Sequence, residues 1–384
     1  MRIAFYAPMK PPTAAVPSGD RMMARQLIRA LELAGHRVEL ASIFRSRDGT
    51  GDATRQARLA RLGARMADRL IRRYSAASNH NRPDAWFTYH LYHKAPDWLG
   101  PRIADALNIP YVIAEASFAP KQDGRKWATG HDAAAAAIRR ADRVISLNSH
   151  DSACVRPLLR DPSRLAALRP FTDIAPFVDA SENREKHRDS LVRDFRLNPE
   201  NPILLTVAMM RDGDKLDSYK LLGQALALLR DTPWQLVVVG DGAKRDAVER
   251  ALSSTGPERV RFAGVQSPAG LCRFYGGSDM MVWPAIREAY GMALLEAQAA
   301  GLPVVAGNVG GVSDIVRHGQ TGILTPEGDA AAFAQAMKSL IETPERRTTL
   351  GAEARRITAE QHSIATAAEQ LNDVMMTVIG ESVS

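Results

Sequence analysis

The sequence predicts an α/β chain of two doubly wound, Rossmann-like domains, each a parallel sheet with helices on both faces. Three observations carry this. Strand-length runs rich in β-branched and aromatic residues are apolar on both faces, as strands buried under two helical layers must be. Longer segments at helical spacing separate them. The alternation also occurs twice, in two series divided by a charged, proline-containing stretch at 179–202.

The first series opens with RIAFYAP (2–8). The segment 21–35 then sets Met22, Met23, Leu27, Ile28, Leu31 and Leu33 near helical spacing and stops at Gly35, before the strand RVELASI (37–43). These form one β-α-β unit. DAWFTYH (84–90), YVIAEAS (111–117) and RVISLNS (143–149) follow as strands, and the alanine run 133–137 reads as ordinary helix. The second series has strands at 203–210, 235–241, 260–264, 279–285, 302–307 and 322–325, with helices including 220–230 and 330–343. Segment 357–379 reads as one or two closing helices. The expected domains are 1–175 and 176–358, with a helix at 359–380 packing back on the first.

A length of 384 residues suits two domains, and 45% hydrophobic with 24% charged residues excludes a disordered or fibrous chain. Two distant cysteines, Cys154 and Cys272, offer neither a disulfide framework nor a C-x-x-C pair, which points to a reducing compartment. No apolar run reaches the roughly 18 residues of a membrane span, and MRIAFYAP reads as a strand rather than an export signal. A cytoplasmic protein is expected. The net charge of +7 points to anionic partners. In segment 55–73, Leu59, Leu62, Met66 and Leu70 form one stripe, and seven arginines face a single acid, Asp68. Such a helix either lies on an anionic membrane surface or packs its stripe on a core with the arginines in solvent. The arginines lack interleaved aromatics, so no nucleic-acid partner is expected.

Open parallel sheets bind ligands beyond the carboxyl ends of their strands, and four such places carry candidate residues. In EAYGMALLEA (288–297), Gly291 precedes a strong helix former, so the amides of Gly291, Met292 and Ala293 suit a phosphate. Glu288 before that helix can reach the group attached to the phosphate, and Glu296 inside it can reach a ribose. The plainer alternative is one solvated acid and one helix-face acid. After strand 203–210, Arg211 and Lys215 straddle a glycine, as a diphosphate clamp would or as a solvated loop would. Asp212 and Asp214 match a D-x-D pattern, but carboxylates beside a phosphate clamp oppose the anion, and no metal is expected. VGDG (239–242) permits close backbone approach without completing a dinucleotide fingerprint, and no G-x-G-x-x-G follows the first strand, so no nicotinamide or flavin cofactor is expected. In the first half, His90 ends strand 84–90, Glu115 nears the end of 111–117, and Gly19-Asp20 open the first helix. His90 is a base, a hydroxyl binder, or simply a packed histidine. Nothing supports a zinc hydrolase or a P-loop enzyme.

The series VGDG (239–242), FAG (262–264), DMMVWP (279–284), EAYGMALLEA (288–297), GLPVVA (301–306), GGVSDIV (310–316) and GQTGIL (319–324) resembles family 4 of the retaining glycosyltransferases, of GT-B architecture. The resemblance covers nearly all of the second half in order and spacing. SGD (18–20), AGHRV (34–38), PDAWFTYH (83–90) and ADRVISLNS (141–149) fit the family's N-terminal domain more loosely. It implies two domains facing across a cleft, the N-terminal one binding an acceptor and the C-terminal one a nucleotide-sugar donor. It implies catalytic roles for Glu288 on the sugar hydroxyls and for Arg211 and Lys215 on the donor phosphates, with His90 remaining as the N-terminal domain's histidine. Donor contacts would come from Gly19, Gly240, Val265, Gly291, Met292, Ala293 and Glu296. The chain departs from the pattern at Met209, where the arginine usually stands, at Glu115-Ala116-Ser117 in place of a histidine, at Ala285 in place of a serine, and at Gly19 in place of a double glycine.

The implied activity is metal-independent, retaining transfer from a UDP-, GDP- or ADP-sugar to a hydroxyl of a saccharide or lipid-linked saccharide, as in glycolipid or polysaccharide synthesis. The location would be cytoplasmic or peripheral at the inner membrane face, with 55–73 as the membrane-facing candidate. The rival readings are a nucleotide-sugar epimerase on the same fold and a non-catalytic nucleotide-sugar-binding or membrane-surface partner protein.

Overall fold

Parallel strands need a crossover for each pairing, and a right-handed crossover lays its helix over one face of the sheet. Both series obey this in the computed structural model, which describes the chain apart from residues 17, 79–80, 257, 290 and 384 and the side chains of 150, 382 and 383. The chain divides into two units, Met1–Arg169 with Ile364–Ser384, and Pro170–Ser363. The division falls a few residues before the expected 175.

In the first unit, β1 (Arg2–Tyr6), β2 (Arg37–Ser42), β3 (Ala85–Leu91), β4 (Tyr111–Ala116), β5 (Arg143–Ser146) and β6 (Leu165–Ala167) form one sheet in the order β2-β1-β3-β4-β5-β6. Every pairing is parallel. Ile3, Phe5, Phe87, Val112 and Val144 are buried along it, as their two-sided apolarity requires. Helix α1 (Gly19–Leu33) starts where the Ser18 hydroxyl accepts from the Arg21 N–H at 3.3 Å, and buries Met23, Leu27 and Leu31. Then come α2 (Ala53–Ser75), α3 (Gly100–Leu107), α4 (Ala128–Arg140), which holds the alanine run, and α5 (Ser149–Val155).

Helix α2 shows where the apolar stripe of its arginine-rich sequence packs. Leu59, Met66 and Leu70 pack into the core that contains Trp86 and Ile103. Of the stripe, Leu62 alone is exposed. The apolar stripe is thus turned into its own unit, and the arginines form the exposed face. Arg102 on α3 pairs with Asp68 at 2.7 Å. Among the described residues, no helix is long and apolar enough to cross a membrane.

In the second unit, α6 (Ala175–Glu182) and α7 (Arg184–Phe195) precede β7 (Ile203–Val207), α8 (Asp214–Ala227), β8 (Gln235–Val239), α9 (Arg245–Leu252), β9 (Val260–Gly264), α10 (Pro268–Gly277), β10 (Met280–Trp283), α11 (Met292–Ala299), β11 (Val304–Gly307), β12 (Gly322–Thr325), α12 (Ala330–Ile341) and α13 (Pro344–Gln361). The sheet order is β12-β11-β10-β7-β8-β9, again parallel. The charged stretch expected to divide the domains is therefore folded: α6 and α7 both pack on α10, through Phe177 against Tyr275 and Phe195 against Phe274. The closing segment also splits. Helix α13 stays in the second unit, and α14 (Ile364–Val383) belongs to the first, where it packs on α1 and buries Leu371, Met375 and Val378. Leu371→Ala should therefore destabilise the protein by about 2–5 kcal/mol, the usual cost of a buried Leu→Ala change, as measured by urea denaturation.

Candidate functional site

The strand order of each sheet reverses once, and there the crossovers leave in opposite directions and open a crevice at the carboxyl ends. In the second sheet that point lies between β7 and β10. The residues that follow these two strands include Arg211, Lys215 and Glu288.

Lys215 stands in the first turn of α8, behind Gly213, whose φ of 78° is open to glycine at little cost. Its ammonium is ion-paired with Glu288 Oε2. The same ammonium lies 5.2 Å from the centre of the Trp283 ring, and the Trp283 indole N–H donates to Glu288 Oε2 at 3.3 Å. The two side chains are only 17% and 18% exposed, so the pair has lost much of its hydration and holds by geometry. Tyr219 meets the Trp283 ring edge-on at 5.1 Å and donates its hydroxyl hydrogen to the Ala208 carbonyl at 2.9 Å. Sequence reasoning missed Trp283, which reads as a plain residue of its strand, and Tyr219, which lies just before the expected helix 220–230.

The loop carrying Glu288 is strained and tied down. Ala285 and Arg287 sit at φ of 58° and 48°, a region that costs residues with a side chain of order 1–3 kcal/mol each. Helix α8 holds them there. Ser218 Oγ accepts from the Ile286 N–H at 3.0 Å, and the Arg287 guanidinium reaches Asp214 at 2.6 Å and Asp217 at 2.8 Å. Gly310 lies so close beneath that a Cβ there would come within 2.2 Å of the Glu288 carbonyl oxygen.

Gly291, at φ 76°, opens α11, and among the described residues no side chain caps that helix. The amides of Met292 and Ala293 thus stand at an uncapped helix tip next to the Glu288 loop. Tyr290 of the motif lies outside the described residues. Glu296 lies deeper: it is 6% exposed and accepts from the Tyr275 hydroxyl at 2.7 Å. Burial pushes its carboxyl up to about 7, against the lowering effect of that hydrogen bond.

Other predicted residues are less integrated. Arg211 is exposed and, among the described residues, has no ion-pair partner. Asp212 and Asp214 engage different cations, Lys244 at 3.5 Å and Arg287. Gly240 and Gly242 allow backbone crossing, since a Cβ at either would come within 2.0 Å and 2.3 Å of the Ala208 and Met210 carbonyl oxygens. Val265 is 76% exposed just past β9. Among the described residues, Asp123, His131 and Asp132 come close enough together to share one ion, but two of the three are exposed acids, and His131 is stacked on Phe118 at 4.5 Å.

The first sheet reverses between β1 and β3. There His90 Nδ1 meets Asp20 Oδ1 at 3.0 Å, with Glu115 Oε1 at 3.9 Å. His90 and Glu115 sit side by side on neighbouring strands, both left-handed at φ of 59° and 61°, between the regular pairs Tyr89–Ala114 and Leu91–Ala116. Burial alone would lower the imidazole, but the carboxylates of Glu115, Asp20 and Asp151 outweigh it and leave His90 raised to about 9. The raised value favours the protonated ring, which suits the hydroxyl-binding alternative. Gly19 is open, with no atom within 4 Å of where its Cβ would stand.

Residues 188–357 match the family described as glycosyl transferases group 1. The chain carries a group 1 glycosyltransferase domain. This domain contains the Lys215–Glu288 pair and the α11 tip. A D-inositol 3-phosphate glycosyltransferase of Rhodococcus opacus (strain B4) is 32% identical over 228 residues, 57% of this chain and 50% of that protein. The chain spans about half the length of the curated relatives of this kind that it matches. Two solved structures share the fold. Sucrose-phosphate synthase from Thermosynechococcus elongatus has a TM-score of 0.74 at 22% identity, covering 99% of each chain. Anabaena Alr3699/HepE in complex with UDP has a TM-score of 0.75 at 17% identity, covering 98% of this chain and 100% of that one. The two six-stranded parallel sheets are accordingly those of the GT-B fold.

Because the folded pKa of His90 lies above its unfolded value of about 6.5, the stability it contributes is full below that value. It is lost as pH rises through about 9. Imidazole NMR should show His90 titrating near 9, and the alkaline loss of stability should shrink in His90→Gln.

Proposed function

We propose that the protein is a retaining glycosyltransferase that moves a sugar from a nucleoside diphosphate-sugar to an acceptor hydroxyl, without a metal or cofactor. The supporting observation is the Lys215–Glu288 pair, held beside an uncapped helix tip at the switch point of the second sheet.

The donor's diphosphate takes Lys215 from Glu288 and rests on the amides at Gly291, Met292 and Ala293, with Arg211 swinging in from solvent. Glu288, released, accepts from hydroxyls of the transferred sugar, and the Trp283 indole keeps it oriented. As the bond from the anomeric carbon to the phosphate oxygen breaks, its electron pair goes to the diphosphate. The developing charge is stabilised by Lys215, Arg211 and the helix tip. The acceptor hydroxyl attacks from the same face and passes its proton to the departing phosphate oxygen, so no carboxylate nucleophile is needed. Glu296 reaches the ribose through the carboxyl oxygen that Tyr275 leaves. Gly240 and Val265 flank the nucleotide; in the first unit, Gly19 is the candidate phosphate contact and His90 the candidate partner of a sugar or acceptor hydroxyl.

The donor is a UDP-sugar in first preference, because HepE, of the same fold, was solved with UDP; GDP- and ADP-sugars complete the panel. The acceptor is a saccharide or a lipid-linked saccharide. An epimerase would convert donor without acceptor, and a non-catalytic partner protein would bind donor without turnover.

With donor and acceptor panels, Lys215→Ala and Glu288→Ala should each lower kcat by roughly a hundredfold or more, the scale of losing one transition-state stabiliser. The product should keep the anomeric configuration of the donor by NMR. Near-normal turnover of either variant removes the assignment.

A further inference from the structure

The second unit has another hollow, at the other end of its strands. A groove of about 720 Å³ opens where Asp279 and Pro303 lead into β10 and β11. That size lies within the usual range of small-molecule sites. It sits at the amino ends of these strands, so β10, at about 3.3 Å per residue, separates it by roughly 13 Å from the carboxyl-end crevice. Helices α6 and α13 wall it.

Its charge is lopsided. Arg184 and Arg188 share the single carboxylate of Asp279, each at 2.7 Å. Arg356 is neutralised by Glu353 at 2.9 Å and Glu360 at 2.8 Å. Arg347 and Arg355 have no carboxylate partner among the described residues. Arg347 Nη1 donates to the carbonyls of Leu340 and Ile341 at 2.6 Å and 2.9 Å, and Arg355 Nη1 to the Ser181 hydroxyl at 2.9 Å. These bonds anchor one nitrogen of each fork, and the other donors have no hydrogen-bond partner among the described residues. Arg184, Arg347 and Arg355 thus line the open volume with Asp279 as its one lining carboxylate among the described residues. Burial, with Arg184 and Arg188 close by, lowers the Arg347 guanidinium from its ordinary value despite Asp279 and Glu345. An anion would relieve this crowding.

We propose that this groove binds a phosphate-bearing anion, gripped by Arg347 and Arg355 and separate from the crevice of Lys215 and Glu288. Guanidinium forks match phosphate oxygens two at a time. The two anchored nitrogens hold the forks in place, so little side-chain freedom is lost when the anion arrives. The anion is either a soluble phosphate compound or the headgroup of an acidic lipid.

Calorimetry on the full chain, in a Lys215→Ala background that weakens phosphate binding at the other crevice, should detect one inorganic pyrophosphate per chain. Arg355→Glu, at an exposed position, should weaken it roughly tenfold or more, the worth of a charge-assisted bond. Arg347→Ala should do the same if it folds, and Arg355→Glu decides alone if it does not. Flotation with phosphatidylglycerol–phosphatidylcholine vesicles separates the sources. Flotation that Arg355→Glu abolishes assigns the phosphate to a lipid, and pyrophosphate binding without flotation assigns it to a soluble anion. Binding of neither probe, or binding that Arg355→Glu leaves unchanged, overturns the proposal.

Discussion

The organising constraint is that a doubly wound sheet has one point where its crossovers part, and at that point no loop covers the carboxyl ends of two adjacent strands. Both sheets place a charge pair there. In the second, Lys215 follows β7 and Glu288 follows β10, and these strands are neighbours although β8 and β9 intervene in sequence. In the first, Asp20 follows β1 and His90 ends β3, again neighbours with β2 intervening. Each pair is a contact that topology makes available. A protein of this architecture can therefore change chemistry by changing a few loop residues while its sheets stay the same.

Holding a charge pair at such a crevice requires backbone that ordinary loops do not supply. In the second unit Ala285 and Arg287 take left-handed conformations, and the cost is offset by helix α8, which binds the loop through Ser218, Asp214 and Asp217. Lys215 rides on the same helix. The element that positions the cation thus also fixes the loop that positions the acid, so a shift of α8 moves both together. In the first unit His90 and Glu115 share the strain on adjacent strands. There the His90 ring lies between the Asp20 and Glu115 side chains, at 3.0 Å and 3.9 Å, and their charge raises its pKa.

Much of this was legible in the sequence, and the losses have physical causes. The two series of strands and the placing of Lys215, Glu288 and Gly291 beyond strand ends follow from periodicity and turn chemistry. Strand β6 was invisible because Leu165–Ala167 is three residues long and only partly buried. Helix α7 looked like a linker because Leu191 is its one buried residue, and a helix that is polar nearly all round gives no periodic signal. The stripe of α2 was legible as apolar, but which surface it met depends on α3 and α4, which only folding brings against it. Left-handed backbone at Ala285 and Glu115 has no sequence signature, since neither residue type favours it. Tyr275 beneath Glu296 and Trp283 beside Lys215 read as core, and their polar edges matter only through partners distant in sequence.

The resting ion pair also bears on which ligands the second crevice can favour. Lys215 and Glu288 are each more than four-fifths covered, so each depends on the other for most of its compensation. A bare anion that draws Lys215 away leaves Glu288, among the described residues, with the indole N–H of Trp283 alone, and a poorly hydrated carboxylate with one donor is costly. A ligand that brings an anion and several hydroxyl donors on one short scaffold avoids that cost, because the hydroxyls reach Glu288 as the anion takes the ammonium. Under the proposed function the pair would discriminate by coupling: neither half of such a ligand gains the full interaction alone. A phosphate joined to a polyol, the chemistry of a sugar phosphate, satisfies both charges at once.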